Sequence, residues 1–203
     1  MQQSRSRASR KRNSALGANV AGARKPQKSR EARRAEHAEI DDPALVLAAA
    51  LRFLEARPRS TSEVRRRLLI HGYREDLVED CLKRLLDLGI LDDEAFARTW
   101  VESRDRARPR GERALRSELA RMGVDRGLTE AVLEDREGER PEAEADAARR
   151  VLARHERALA RVTDPRARRQ RAYALLARSG FDSDTTSEVL AEASRGDPES
   201  QSD

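Results

Sequence analysis

Apolar residues recur along this chain at the three- and four-residue intervals of an amphipathic helix, and no stretch alternates convincingly as a strand would. The clearest run is Leu77, Val78, Cys81, Leu82, Leu85 and Leu86, which forms one stripe and ends at Gly89. Glycine takes the left-handed conformation that closes a helix without a side-chain penalty. Asp92 and Asp93 then offer carboxylates to the unpaired N–H groups of a new helix, whose stripe is Phe96, Ala97, Trp100 and Val101 with the stem of Arg104. Residues 88–104 therefore predict a joint between two helices, with Asp92, Asp93, Phe96 and Trp100 as its structural residues. At this spacing the two rings read as core and not as a platform for stacking bases.

The pattern repeats. Gly72, Gly123 and Gly180 are each preceded four residues earlier by a leucine (Leu68, Leu119, Leu176) and followed at once by Tyr73, Val124 or Phe181. Ten residues beyond each glycine stands Leu82, Leu133 or Leu190. Each unit reads as three helices, with a glycine turn of helix-turn-helix type between the second and third. In the first unit Leu47, Leu51 and Leu54 mark one helix, which Pro58 stops. Ser60 and Glu63 form a capping box for the next, which runs through Val64 and Leu68 to Gly72. The expected organisation is a disordered basic arm over 1–42, three-helix repeats over 43–92, 93–141 and 142–194, and a disordered tail over 195–203.

Composition narrows this to an all-α protein with thin cores: 39% of the chain is charged and only 3% aromatic, while Ala, Leu, Arg and Glu dominate. Residues 1–30 hold nine Lys and Arg, no acid and no apolar period, so a weak, salt-sensitive affinity for DNA is expected of the arm. The rest alternates in charge by blocks, with 104–124 at +4, 125–148 at −6, 149–181 at +8 and 182–203 at −6. Any one block is ordinarily a solvated helix face, but alternation on this scale predicts patches. The longest apolar run, 44–51, is eight residues, so no membrane span is expected. His37, His71 and His155 stand apart from one another, Cys81 lies on an apolar helix face, and no phosphate loop follows a strand. Neither an enzyme nor a bound metal or cofactor is expected.

With these units in view, the chain resembles the RecX family of bacterial regulators of the recombinase RecA. The similar features are the phrase from Arg57 to Ser60 with Glu63, Leu68 and Gly72, the linking run Gly89-Ile90-Leu91-Asp92-Asp93 with Phe96 and Ala97, Arg104, and Gly111 with Leu115, Leu119 and Gly123. The likeness covers about 44–194 and is weakest in the third unit. It implies an elongated, curved array of three modules lying in the groove of the RecA filament on single-stranded DNA, where it damps ATPase, strand exchange and filament growth. A cytoplasmic monomer is expected. Independently of the resemblance, the arginines are the candidate contacts, because guanidinium pairs bidentately with carboxylate and phosphate. One cluster is Arg65, Arg66 and Arg67; the other is Arg104, Arg108, Arg110, Arg113 and Arg116. The competing reading is a stand-alone DNA-binding, nucleoid-associated helical protein.

Overall fold

The computed structural model describes residues 29–140 and 142–195, and every regular element among them is an α-helix. Helix α1 spans Arg30–Ala38. The first unit holds α2 (Pro43–Leu54), α3 (Thr61–His71) and α4 (Glu75–Asp87). The second holds α5 (Asp93–Ala107), α6 (Glu112–Arg121) and α7 (Arg126–Glu139), and the third α8 (Ala143–Ala160), α9 (Pro165–Ser179) and α10 (Ser183–Arg195).

Helix ends follow the local chemistry. Asp42 caps α2, with Pro43 at its first position. Ser60 and Glu63 close the full capping box on α3, and Asp92, Asp125 and Asp164 cap α5, α7 and α9 through their carboxylates. Arg74 starts α4 with no side-chain cap. Gly72, Gly89, Gly123 and Gly180 all sit at positive φ.

Each unit buries its own small core. The first gathers Val46, Val64, Leu68, Val78, Leu85 and their neighbours; the second Phe96, Val101, Leu115, Leu119 and Leu133; the third Ala147, Val151, Leu176, Phe181 and Leu190. In repeat arrays, stacking against a neighbour adds to the stability of each small unit.

Units are joined where the N-terminal end of one second helix meets the C-terminal end of the next. Ser60 Oγ, at the head of α3, donates to the Met122 carbonyl at the foot of α6 (2.5 Å), and Asp93 Oδ1 accepts from the Thr61 amide (2.8 Å). Gly111 N, at the head of α6, donates to the Ser179 carbonyl at the foot of α9 (3.1 Å).

One expectation is corrected. The basic arm was to be without order through residue 42, yet Arg30–Ala38 is helical, capped by Ser29 through the Ala32 amide. The helix has no buried residue, so it carries no apolar period that could have announced it. Instead it is held by polar and ring contacts: His37 Nδ1 bonds the His71 carbonyl (2.8 Å) and the His37 ring stacks on Tyr73 with centroids 4.4 Å apart. The remainder of the arm, residues 1–28, and the tail from 196 onward lie outside the described residues.

Candidate interaction site on the first two units

The helix joint at 88–104 divides into separate roles. Asp92 Oδ1 accepts from the Ala95 amide and caps α5, while Asp93 reaches back to the first unit. Phe96 is buried within the second core, so its ring belongs to that unit's interior and not to the seam between units. Trp100, one turn on, is half-buried and faces a polar cluster. Its Nε1 donates to Glu118 Oε2 (2.9 Å), Arg104 Nε donates to the same oxygen (2.7 Å), and the Arg104 guanidinium lies 4.2 Å from the indole centre. Arg110 approaches the other Glu118 oxygen at 3.8 Å. One carboxylate thus gathers two of the predicted arginines and the tryptophan.

The other candidate arginines part company. Arg116 forks between Glu112 and Glu130 on the α6–α7 face, both at 2.9 Å. Arg113 donates to the Ala177 carbonyl of the third unit (2.7 Å), a contact that holds units together. In the first cluster Arg65 pairs with Glu79, and Arg67 lies over the Phe53 ring at 5.2 Å. Arg66 and Arg108 are exposed and make no ion pair among the described residues. Of the eight arginines, these two are the ones whose full charge is free to meet another molecule. The structure does not bring the eight into one surface patch.

A buried cluster went unseen in the sequence. Arg136 of α7 donates bidentately to Asp105 of α5 (3.0 and 2.9 Å), then to Glu144 of α8 (3.1 Å) and the Ala143 carbonyl (3.3 Å). Glu144 also accepts from the Glu112 amide at the head of α6 (2.9 Å), and Arg140 adds a second cation to Asp105 (2.8 Å). Asp105, Arg136 and Glu144 are 4%, 6% and 9% exposed, so this is a buried cluster of charge. Burial pushes the Glu144 carboxyl above its ordinary value, opposed by the Glu112 amide and Arg136. Burial works against the Arg136 cation, but Asp105 and Glu144 outweigh it and raise its pKa. Arg136 lies in the acidic block 125–148, expected to form a surface patch; an arginine amid nine acids was the available signal, but nothing local said that it points inward.

No group of three or more His, Cys, Asp or Glu among the described residues is arranged to hold a metal ion, and no helix there is long and apolar enough to cross a membrane. Cys81 is a buried thiol whose pKa burial raises, in keeping with a core residue.

Comparison with known proteins bears on both sequence and fold. The family description for the first three-helix domain of RecX matches residues 47–85, and that for the second matches 92–133. Regulatory protein RecX of Chlorobium limicola is 32% identical over 154 residues, spanning 76% of this chain and 92% of that protein. Regulatory protein RecX of Mycobacterium avium is 36% identical over 149 residues, spanning 70% and 81%. In fold, the chain is similar to the crystal structure of RecX from Lactobacillus salivarius, with a TM-score of 0.65, 19% identity, and coverage of 76% of this chain and 98% of that one. A second RecX crystal structure gives the same TM-score at 23% identity, covering 73% of this chain and 71% of its own. The likeness to RecX covers about three quarters of this chain in fold and reaches family level in sequence. This chain belongs to the RecX family of regulatory proteins.

Proposed function

We propose that this protein binds the RecA filament on single-stranded DNA and lowers its ATPase, recombinase and filament-extension activity, acting by contact and without catalysis of its own. Family membership carries this reading. Its architecture fits a binding role: three small units joined in tandem offer a long surface, while the buried charge is spent on holding units together. Arg66 and Arg108 are the proposed contacts with acidic recombinase surface or phosphate, with Arg104 and Arg110 held in reserve by Glu118.

RecA ATP turnover on single-stranded DNA, titrated with this protein, is the test. Inhibition at far less than one copy per RecA is expected. The paired variant Arg66→Glu, Arg108→Glu is expected to weaken inhibition while leaving the melting curve unchanged, because both side chains are exposed and neither makes an ion pair among the described residues. Exposed single pairs contribute about 0 to 1 kcal/mol, so the two are reversed together. Arg113→Glu is unsuitable as a contact test, since it would break the bond to the Ala177 carbonyl. Full inhibition by the folded paired variant would take both arginines out of the interface.

A second reading, a stand-alone DNA binder, draws on α9, which has five arginines and no acid. Of these Arg166, Arg169, Arg171 and Arg178 are exposed. Duplex binding without RecA, falling steeply with salt, would favour it.

A further inference from the structure

Three carbonyls in this molecule are used in the same way. The second helix of each unit closes just before a positive-φ glycine: α3 ends at His71 before Gly72, α6 is capped by Met122 before Gly123, and α9 ends at Ser179 before Gly180. Carbonyls in a helix's last turn have no partner within the helix. Met122 O accepts from Ser60 Oγ, Ser179 O from Gly111 N, and His71 O from His37 Nδ1.

In the first two cases the donor is the N-cap of the preceding unit's second helix, Ser60 for α3 and Gly111 for α6. The glycine beside each acceptor lies where the incoming segment leaves no room. A Cβ at Gly123 would stand 2.2 Å from Ser62 Oγ, one at Gly180 2.4 Å from Ala114 Cβ, and one at Gly72 2.5 Å from the Arg34 carbonyl oxygen. No unit precedes the first among the described residues, and α1 stands where that unit's leading edge would be.

The opposite end of the array differs at the matching residue. The N-cap of α9 is Asp164, exposed, with its carboxylate oxygens accepting from the amides of Arg166 (3.1 Å) and Ala167 (3.2 Å). Its backbone amide remains a donor, as Gly111's is, but its side chain is unlike Ser60's: a serine hydroxyl has a proton to give to a neighbouring carbonyl, whereas a carboxylate has none and its charge opposes the negative end of a helix.

We infer that the Gly72 end of α3 is a docking surface for the leading edge of a repeat unit, that α1 fills it in cis, and that Asp164 closes the other end. Copies of this chain are thereby kept from adding head to tail. A repeat array without polar end caps presents the same surface that joins its own units, so a second copy is the partner this surface fits. Helix α1 is suited to the role because it is short, charged and without a buried residue, and its contacts with the end of α3 include the His37–His71 hydrogen bond and the stacking of His37 on Tyr73 and His71.

The test uses the full chain and three variants. Ala35→Pro breaks α1 at an exposed position, removing a helix amide without touching the first core. Asp164→Ser restores a donor at the far end, and the third variant combines both. Hydrogen exchange of the α1 amides reads docking, and sedimentation velocity over a range of concentrations reads association. Wild type and Asp164→Ser are expected to protect α1, Ala35→Pro is expected to lose that protection, and all three are expected to stay monomeric. The double variant is expected to self-associate roughly 10- to 100-fold more tightly than either single one, the range that corresponds to satisfying one buried carbonyl. Wild-type α1 amides that exchange as fast as those of Ala35→Pro would show that no cap is seated and overturn the inference. So would a double variant that exposes α1 yet stays monomeric throughout. Association by Ala35→Pro alone would overturn the role given to Asp164.

Discussion

The two joints between units share a backbone arrangement and differ in chemistry. At the first, Ser60 does two things: its hydroxyl caps α3 through the Glu63 amide (3.1 Å) and bonds the Met122 carbonyl of the next unit. At the second, the same position is Gly111, because a Cβ there would fall 2.3 Å from the Gly180–Phe181 peptide. Glycine leaves α6 with no side-chain cap, and the Glu112 amide finds its acceptor in Glu144, a residue of the third unit. That carboxylate is buried and needs a cation, which Arg136 supplies while it also holds Asp105. A tighter approach of two backbones at Gly111 is thus accompanied by a buried ionic network, whereas the first joint manages with a hydroxyl and one carboxylate. Buried ion pairs offset a large desolvation penalty and fail badly when one partner is lost.

The largest expected effect follows from that asymmetry. Arg136→Ala leaves buried Glu144 with the Glu112 amide and no cation, and Asp105 with the exposed Arg140 alone, and a loss of about 3–5 kcal/mol is expected in denaturant unfolding, with the third unit melting first. A change under ~1 kcal/mol would mean that water reaches the cluster. Next comes Gly111→Ser, which gives the second joint the residue of the first. The added atoms meet backbone, so the substitution is expected to destabilise by about 1–3 kcal/mol despite offering a cap; a more stable protein would show that the joint can open to admit a side chain.

Ser60→Ala should cost about 1–2 kcal/mol, the scale of a lost N-cap, with the Met122 carbonyl left unpaired as well. If its loss equalled that of Arg136→Ala, the two joints would be energetically alike and the contrast would collapse. The smallest effect concerns α1. Burial lowers the pKa of His71 from 6.5, as do the neighbouring charges of Arg67 on its own helix and His37, Arg30 and Arg33 on α1. A depressed pKa means that the docked state holds fewer protons than the undocked one, so docking is fully supported above pH 6.5 and weakens as pH falls below it. Amide protection of α1 should therefore drop between neutral pH and about pH 5, where an unperturbed histidine is charged; equal protection at both would exclude the effect.

Much of the fold was legible because its signals are local. Gly72, Gly123 and Gly180 mark three helix ends through backbone conformation, Ser60 with Glu63 and Asp92 with Ala95 are caps spanning three residues, and leucine spacing marks each stripe. Local signals could not find α1, whose helix is specified by a stack on Tyr73 and a carbonyl 34 residues away. Nor could they sort the arginines. Arg136 meets Asp105 across 31 residues and Arg113 meets Ala177 across 64, while Arg66 and Arg108, of the same residue type, make no ion pair among the described residues. By itself the sequence determined the helices, their ends and their threefold recurrence, since each depends on neighbours within a turn or two. Which charges are buried, which hold units together and which remain for a partner was decided only by the tertiary structure, because a charge's state depends on what packs against it, and that comes from distant parts of the chain.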